Sequence, residues 1–545
     1  MGNLAHSYAC IPNTFISNTM VNFRRLLTCG FLPVELPQPF HSVLFSRAVT
    51  RHSTSLPVGF IPSPNGKFRS AELAKHNLAR VGRLRRVLGI PNPVIFYNLA
   101  HEIVQNWTDI QNFLDQSSLS VTHPTYNSTG LRAIGSKAEP PDFPRLRALH
   151  RANGRYLLIA DIQQFYPSIY THSLPWALHS KPVAKTQRRN MNLLGNRLDT
   201  WAQRSQDSQT RGIPIGPDTS RVLSEILLTS IDIELESWTS VLKGFRAVDD
   251  YELTFRNRSE AENALGMLQS ILSDYELQLN EEKTCILELP LPMEDTWSET
   301  LRSFQFRNTP SSQIRDLISY FSLAFELAHQ HPTKSILRYA IARISSETLR
   351  PTTWLTYQDL LIQSAVAEPG TLKYVLSELS KYQQQGCLII KDKIQEALDE
   401  LILRHQPLCH GSEVAWAVWI AISLGIPLLK SSTDRLSEIE DPLIPLLALH
   451  ADSKGLTPTG LNLTKWASLM TPEELWGQNW LLCYEANIKG WLPTSHAIDH
   501  VNADPCFSFL KNQGVSFYND RASSTKIPKW RSRFSFSQLV GYGLG

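Results

Sequence analysis

The stretch YLLIADIQQFYPSIY, residues 156–170, contains the feature that decides the fold. Its first five residues form a continuous apolar run, which is typical of a buried strand, and the run ends at Asp161. Downstream, residues 244–255 read GFRAVDDYELTF and predict a β-hairpin whose turn carries Asp249 and Asp250. Each signal alone is common in ordinary turns. A strand that ends beside a hairpin turn, however, brings the carboxylates of both together.

Three carboxylates on rigid supports indicate a particular chemistry. Phosphoryl transfer from a nucleoside triphosphate uses two divalent cations about 4 Å apart. Mg²⁺ prefers hard oxygen ligands and is held by a few carboxylates plus substrate phosphates. Asp161 together with Asp249 and Asp250 therefore predicts a site for two Mg²⁺ ions, with Mn²⁺ as the alternative cofactor.

Composition limits the classes of protein that the chain can represent. At roughly 150 residues per domain, 545 residues predict two to four domains. The hydrophobic fraction of 42% and the charged fraction of 19% indicate a folded protein. Lys and Arg number 53 against 50 Asp and Glu, so a bulk polyanion binder is excluded, whereas a local basic channel is not.

The cysteines and the apolar stretches predict the compartment. Seven scattered cysteines without a CxxC pair indicate neither a disulfide framework nor a zinc site, which suits a reducing cytosol. No secretory signal is expected at the N-terminus. The uncharged, mostly apolar stretch at residues 414–429 is too short for the roughly 20 residues of a spanning helix, and it predicts a buried helix and turn. We therefore expect a cytoplasmic protein without a membrane partner.

Three zones divide the chain. Residues 1–155 are rich in Pro, Asn and Ser and include a basic run. Residues 156–307 alternate short strands with helices, and helical spacing is clear over 218–236 and 260–275. Residues 308–545 form a train of amphipathic helices that ends in a basic, aromatic tail from residue 521 onward. The pattern predicts an α+β chain with an all-α C-terminal array.

Four ordered segments resemble the motifs of reverse transcriptases. The residues that carry the likeness, in the order A to D, are DIQQFYPSIY at 161–170, RGIPIGPDTS at 211–220, AVDD at 247–250, and LQLN at 277–280 followed by Lys283 and Thr284. Upstream, RVLGIPNPV at 86–94 resembles the fingers motif of retron-like and group II-like enzymes. The likeness covers about residues 67–307. It implies a right-hand polymerase with fingers in 1–155, palm in 156–307 and a thumb-like or repeat-like helical domain in 308–545.

A narrower likeness is to bacterial defence reverse transcriptases of the abortive-infection type, within the unknown-group reverse transcriptases. It rests on the continuation PSIYTHSLPW at 167–176, on GIPIGP at 212–217 and on VDDYE at 248–252. The resemblance implies antiphage defence and an RNA-directed or untemplated DNA polymerase, which is protein-primed in some members. The implied partners are dNTPs, an RNA template or non-coding RNA and the DNA product. A second copy of the chain or a partner defence protein stays open.

Catalytic roles follow from this chemistry. Asp161 and Asp249 would hold both metal ions, and Asp250 would support the site or contact the primer end. The backbone carbonyl of Ile162 would be a further metal ligand. Tyr166, five residues after Asp161, matches the bulky position that closes the pocket where a ribose 2′-OH would lie. Its ring would favour dNTPs over ribonucleotides.

Further residues are candidates for binding the nucleotide. Gly212 and Gly216 would let the backbone approach the nucleotide without an intervening Cβ. Lys283 would be a cation near the phosphates, or an ordinary surface lysine. A guanidinium can grip phosphate with two hydrogen bonds, and three arginines are equal candidates for a triphosphate clamp: Arg83, Arg85 and Arg86.

Two positions depart from the motifs. Ala247 stands where motif C usually begins with an aromatic residue, and Arg211 stands where retroviral enzymes have Gln. These departures put processivity, fidelity and template handling in doubt, and they leave the carboxylates intact.

Other interpretations of the chain remain. A degenerate polymerase fold could serve as a structural or RNA-binding subunit, but such a copy has no physical reason to keep three converging carboxylates. A ribonuclease in the helical domain would use Arg404 and His410. A tyrosine of the third zone could supply a priming hydroxyl; the candidates are Tyr320, Tyr339, Tyr357, Tyr374, Tyr382, Tyr484, Tyr518 and Tyr542.

Overall fold

The computed structural model describes residues 21–61, 68–81, 85–238, 243–493 and 499–522. Arg83, Tyr542 and the basic, aromatic part of the predicted tail beyond residue 522 lie outside the described residues. Within them the chain is a mixture of helices and antiparallel sheets.

Eight strands occur in the described ranges. They are β1 (Ala74–Leu78), β2 (Arg86–Ile90), β3 (Pro124–Tyr126), β4 (Ile134–Ser136), β5 (Tyr156–Asp161), β6 (Lys243–Ala247), β7 (Asp250–Phe255) and β8 (Cys285–Glu288). Two pairs, β1 with β2 and β3 with β4, form two-stranded sheets. The remaining four form a sheet in the order β6-β7-β5-β8, in which all neighbours are antiparallel. We call this four-stranded sheet the central sheet.

Helices make up most of the remainder. Those before the last strand are α1 (Phe23–Cys29), α2 (Val43–Arg51), α3 (Pro93–Gln105), α4 (Trp107–Leu114), α5 (Phe143–Arg151), α6 (Phe165–Ser168), α7 (Ser173–His179), α8 (Lys181–Thr186), α9 (Leu194–Arg204), α10 (Asp218–Trp238) and α11 (Arg258–Asp274). Those after it are α12 (Thr296–Ser303), α13 (Pro310–Gln330), α14 (Ile336–Ile344), α15 (Trp354–Ala367), α16 (Leu372–Gln384), α17 (Lys391–His405), α18 (Gly411–Leu424), α19 (Lys430–Leu436), α20 (Ile444–Ser453), α21 (Thr464–Ser468), α22 (Trp480–Lys489), α23 (His500–Ala503) and α24 (Pro505–Asn512).

The central sheet confirms the strand and hairpin predicted from the sequence. Strand β5 lies between β7 and β8, and its residues Leu157, Leu158 and Ala160 are almost completely buried. Burial on both faces explains why the sequence shows a continuous apolar run instead of alternation. Helix α11 packs on the strands, and α10 is buried along most of its length. Both predicted helices are therefore confirmed.

A buried ionic cluster joins α10 to the hairpin β6–β7. Arg246 on β6 is inaccessible to solvent, and its guanidinium lies 2.7 Å from carboxylate oxygens of both Glu225 and Asp232 on α10. Tyr251 on β7 donates a hydrogen bond to Asp232 at 3.0 Å. Burial lowers the pKa of Arg246, but the two carboxylates outweigh it and hold that pKa well above its ordinary value. The cluster thus carries one buried, fully charged cation between two acids.

The N-terminal region and the C-terminal helices share one core. The indole N–H of Trp480 on α22 donates to the carbonyl of Ile90 on β2 at 3.3 Å, and Phe31 stacks on the same indole. The backbone N–H of Glu72 donates to the carbonyl of Trp476 at 2.8 Å. The zones read from the sequence therefore interlock, because apolar surfaces far apart in sequence are buried against each other. The zone boundaries themselves stay predictions.

The uncharged stretch at 414–429 forms a buried helix and turn, as predicted. Helix α18 contains its first part, and Gly425 ends the helix in the left-handed region at φ +60°. Among the residues that the structure describes, no helix combines the length and the apolarity needed to cross a membrane.

We expect Arg246→Met to destabilise the fold strongly. Removing one partner from a buried ionic cluster leaves uncompensated charge and costs about 3–5 kcal/mol. Arg155→Met is the matched control, because Arg155 forms an exposed pair with Glu288 in the same sheet, 3.4 Å apart. Exposed pairs contribute about 0.2–1 kcal/mol. Urea denaturation measures both free energies of unfolding, and equal losses would contradict the assignment.

Candidate active site

The three predicted carboxylates meet at one end of the central sheet. Asp161 is the last residue of β5, Asp250 is the first of β7, and the two are direct partners in the antiparallel register. Asp249 precedes Asp250 in the turn, and its carbonyl accepts a 3.2 Å hydrogen bond from the N–H of Ile162. Directly opposed residues bring their Cβ atoms to about 5 Å. The side chains of all three acids therefore share one small space.

The turn that carries Asp249 is held in an unfavourable conformation. Val248 has φ +55°, a region that β-branched residues rarely adopt. Its N–H donates to the Thr122 hydroxyl at 2.8 Å, and its carbonyl accepts from the Arg246 guanidinium at 3.0 Å. Both peptide groups of the strained residue are thus fixed. The buried cluster around Arg246 determines the position of Asp249.

Asp161 is the most enclosed of the three acids. One of its carboxylate oxygens accepts from the amide of Asn280 at 3.0 Å, and the other lies 3.0 Å from the Lys283 ammonium. The backbone N–H of Asn280 also donates to the Asp161 carbonyl at 2.7 Å. The segment that resembles motif D is therefore attached directly to the first carboxylate. Lys283, half exposed to solvent, contacts the carboxylate cluster itself.

Burial and neighbouring charge raise the pKa of two of the acids, Asp249 and Asp250. Burial, reinforced by the Asp161 carboxylate, raises the pKa of Asp249 to about 6. Burial together with the charges of Asp249 and Asp161 raises the pKa of Asp250 still more. Like charges this close cannot all ionise without added positive charge. The cluster consists of hard oxygen donors short of positive charge, and it fits divalent ions of the Mg²⁺ and Mn²⁺ type.

The candidate arginines differ in their surroundings. Arg85 donates both terminal nitrogens to Glu413 on α18, at 2.5 and 2.7 Å, so its guanidinium is engaged with the helical region. Arg86, the first residue of β2, lies close enough to Asp249 to lower the pKa of that acid. Arg80 was not singled out from the sequence, yet all three site carboxylates act on it, raising a pKa that burial lowers overall. Arg86 and Arg80 share the electrostatics of the site.

Tyr166 is fixed between two of the motif segments. It is half-buried on α6, its hydroxyl accepts a 3.2 Å hydrogen bond from Ser224 on α10, and its carbonyl accepts from the N–H of Ile213 at 3.0 Å. Its neighbour Phe165 is buried in the core. Ser224 is a contact that the sequence did not reveal, because it depends on the docking of α10.

Gly212 and Gly216 have positive φ angles of +86° and +126°. A Cβ on Gly216 would approach the side chain of Pro33 to 2.5 Å, and one on Gly212 would lie 3.2 Å from the Pro167 carbonyl oxygen. The sequence-based reason for these glycines was access for a nucleotide. The structure gives a different reason, since the protein's own backbone and prolines exclude a side chain there.

The structure bears on two hypotheses for the helical region, a ribonuclease site and a priming tyrosine. Arg404 is exposed, whereas His410 faces His405, their Nδ1 atoms 2.9 Å apart. The structure thus brings His410 to another histidine, not to Arg404. Among the candidate priming tyrosines, five are buried to 1% exposure or less, which keeps their hydroxyls from a nucleotide in this conformation: Tyr320, Tyr357, Tyr382, Tyr484 and Tyr518. Tyr339 and Tyr374 are half-buried.

The residues that sequence reasoning missed are Arg246, Asn280 and Arg80. The available signal for Arg246 was a charged residue between Phe245 and Ala247 in a predicted strand, because a buried charge needs partners. Asn280 lies in the motif D-like segment, but its contact with Asp161 depends on a tertiary pairing of Ile162 with Leu279.

Comparison with known families assigns the region that contains the carboxylates. Residues 96–337 match the family model for reverse transcriptase (RNA-dependent DNA polymerase). This region therefore resembles a reverse transcriptase domain. The domain contains all four motif segments, but it begins after Arg80 and Arg86. The family match supports an activity of the RNA-directed DNA polymerase class, which is a nucleotidyl transfer, and it supports nucleic-acid binding. Reverse transcriptases generally use divalent metal ions.

A structural comparison gives a distant similarity. A telomerase structure from Candida tropicalis, in complex with a TWJ fragment of telomeric RNA, matches 69% of this chain and 67% of that chain, with 11% sequence identity and a TM-score of 0.31. No curated protein matches the chain.

We expect Asp250→Asn to change how the metal-free protein responds to pH. Because the pKa of Asp250 is raised in the folded state, its stabilising contribution is complete below about pH 4 and declines as pH rises through the folded pKa. In chelator, the variant should therefore lose less free energy of unfolding than the wild type between pH 4 and pH 8, by about 1 kcal/mol or more. Asp274→Asn, on the exposed end of α11, is the control. Parallel pH profiles for wild type and Asp250→Asn would contradict the expectation.

Proposed function

We propose that this protein synthesises DNA from dNTPs by two-metal phosphoryl transfer, on an RNA template or without one, in the cytoplasm. The observation that carries the proposal is the convergence of Asp161, Asp249 and Asp250 within a reverse transcriptase domain. The strain at Val248 and the buried cation behind it support an active role, because an inactive scaffold has no use for a strained turn that presents a carboxylate.

The chain is proposed to follow the right-hand arrangement. The central sheet within 156–307 would be the palm, and the β1–β2 pair within 1–155 would belong to the fingers. After Glu288 every regular element of the described residues is a helix, which supports a helical domain in 308–545. The contacts of Trp476 and Trp480 with residues near β2 would hold the fingers against that domain.

The carboxylates would hold two Mg²⁺ ions, with Mn²⁺ as a substitute. When bound, such ions supply the positive charge that activates a 3′-hydroxyl and stabilises the leaving pyrophosphate. Asp161 and Asp249 are the proposed ligands, with the Ile162 carbonyl beside them and Asp250 supporting the cluster. Lys283 balances Asp161 in the metal-free site, and its half-exposed ammonium would be available to the triphosphate once Asp161 binds metal.

The remaining pocket residues would orient the nucleotide. Arg86 and Arg80 lie in the field of the carboxylates and would grip the triphosphate with their guanidinium groups. Arg85 is paired with Glu413, so it would not grip the triphosphate and would only help to hold neighbouring residues in position. The Tyr166 ring, anchored through Ser224, would exclude a ribose 2′-OH.

A role in antiphage defence is proposed on the resemblance to abortive-infection enzymes. It predicts that cells expressing the wild-type chain reduce the plating efficiency of a susceptible phage, whereas cells expressing Asp249→Asn do not.

The primer is a separate question. Labelled product that stays attached to protein through boiling in detergent would support protein priming, and product that runs free would point to a nucleic-acid primer.

We expect Asp249→Asn to abolish nucleotide incorporation without unfolding the protein. Losing one ligand charge raises the barrier by several kcal/mol, which is on the order of 10³-fold or more in rate. Incorporation of each labelled dNTP with Mg²⁺ measures the effect, and Asp274→Asn is the control of equal chemistry. A folded Asp249→Asn protein that still polymerises would remove the active-site assignment.

We expect Tyr166→Ala to admit ribonucleotides, because the ring no longer fills the space beside the sugar. Tyr166→Phe is the matched control, since it loses the Ser224 hydrogen bond and keeps the ring. The measurement is the ratio of rNTP to dNTP incorporation in the three proteins. If the alanine and phenylalanine variants keep the wild-type ratio, another residue is the gate.

A further inference from the structure

Three potential metal ligands meet where α17 ends and α18 begins. His405 is the last residue of α17, His410 directly precedes α18, and Glu413 lies in the first turn of α18. Between the histidines the chain reverses through Cys409, which has left-handed backbone at φ +51°. This turn brings the two imidazole rings together, with their centroids 5.2 Å apart and their planes inclined by 33°.

The geometry of the three ligand atoms suits a metal ion. The Nδ1 atoms of His405 and His410 are 2.9 Å apart, and they lie 3.9 and 3.7 Å from Oε1 of Glu413. These distances define a triangle whose corners all lie about 2.1 Å from one interior point. Zn²⁺ binds imidazole nitrogen at about 2.0–2.1 Å and carboxylate oxygen at about 2.0–2.2 Å. One ion could therefore contact all three atoms with little movement.

The surroundings match those of a built site. The Glu413 side chain is 2% exposed, and the side chains of His405 and His410 are 12% and 22% exposed, so the ligands are enclosed with a path to solvent. Arg85 holds the Glu413 carboxylate in place, as an outer partner orients a ligand.

We propose that His405, His410 and Glu413 bind one Zn²⁺ ion, with water as its fourth ligand. Two imidazoles and one carboxylate favour a borderline ion of the zinc class over Mg²⁺, which prefers oxygen ligands alone. The 2.9 Å separation of the two Nδ1 atoms is that of a hydrogen bond, in which one of the two rings would carry the proton. On metal binding this ring would carry its proton on Nε2 instead, so both Nδ1 atoms could face the ion and no proton needs to leave.

The site lies at a junction between two parts of the fold. The side-chain amide of Asn77 on β1 donates to the Cys409 carbonyl at 3.1 Å, and its oxygen accepts from Arg85 at 2.8 Å. Arg85 in turn pairs with Glu413. An ion at this turn would therefore fasten the β1–β2 pair to the C-terminal helices. This inference is independent of the proposed polymerase activity, because none of its ligands is among the proposed catalytic carboxylates.

The test is a Zn²⁺ titration of the full-length protein in excess Mg²⁺, which occupies the oxygen-rich carboxylate cluster. Calorimetry gives stoichiometry and affinity, and Co²⁺ substitution gives visible bands that report nitrogen ligation. The variant is His410→Ala, chosen because the ring is partly exposed. The control is His329→Ala, an exposed histidine at the end of α13. Circular dichroism without metal verifies that each variant folds.

We expect one Zn²⁺ per chain in the wild type and in His329→Ala, with a higher melting temperature on binding. His410→Ala should weaken binding by more than about 10-fold, since losing even an outer partner of a ligand costs that much. Should His410→Ala fail to fold, His405→Gln provides the same readout. Absence of stoichiometric binding in the wild type, or binding that both histidine-site variants retain unchanged, would overturn the proposal.

Discussion

The buried guanidinium of Arg246 is the interaction on which the rest of the site depends. It pairs with both Glu225 and Asp232 on α10, and it also donates to the carbonyl of Val248. A helix, a hairpin and a strained turn are thereby locked to one cation. Buried charge is expensive unless every partner is satisfied, so this cluster tolerates few alternative arrangements. That intolerance gives the carboxylate of Asp249 a defined position.

The same region concentrates unfavourable charge on its solvent side. The Asp161 carboxylate raises the pKa of both Asp249 and Asp250, and Lys283 and Arg86 supply only part of the positive charge that would offset the three acids. The repulsion among these carboxylates lowers the free energy of unfolding and raises the affinity of the site for cations. Stability is provided instead by the apolar interior of the central sheet and by the helices that cover it.

The C-terminal helices are part of the main core and not an appendage. Trp480 packs against Phe31 and bonds to Ile90, and Glu413 pairs with Arg85 beside β2. A change in the helical region would therefore reach the strands next to the active site through a short chain of contacts. The turn at 405–413 is one of these contacts, and a metal ion there would make it stiffer.

The sequence by itself predicted the local elements and the three carboxylates that meet at one end of the central sheet. A buried strand ending at Asp161, a hairpin carrying Asp249 and two long helices all follow from short-range periodicity, since such patterns report which face of an element is buried. Only the tertiary structure decided that Arg246 holds the turn and that Arg85 pairs with Glu413. It also decided that Arg80 lies in the field of the three carboxylates and that His405 contacts His410. Those facts depend on contacts between residues distant in sequence, and no local pattern encodes which buried charge will find which partner.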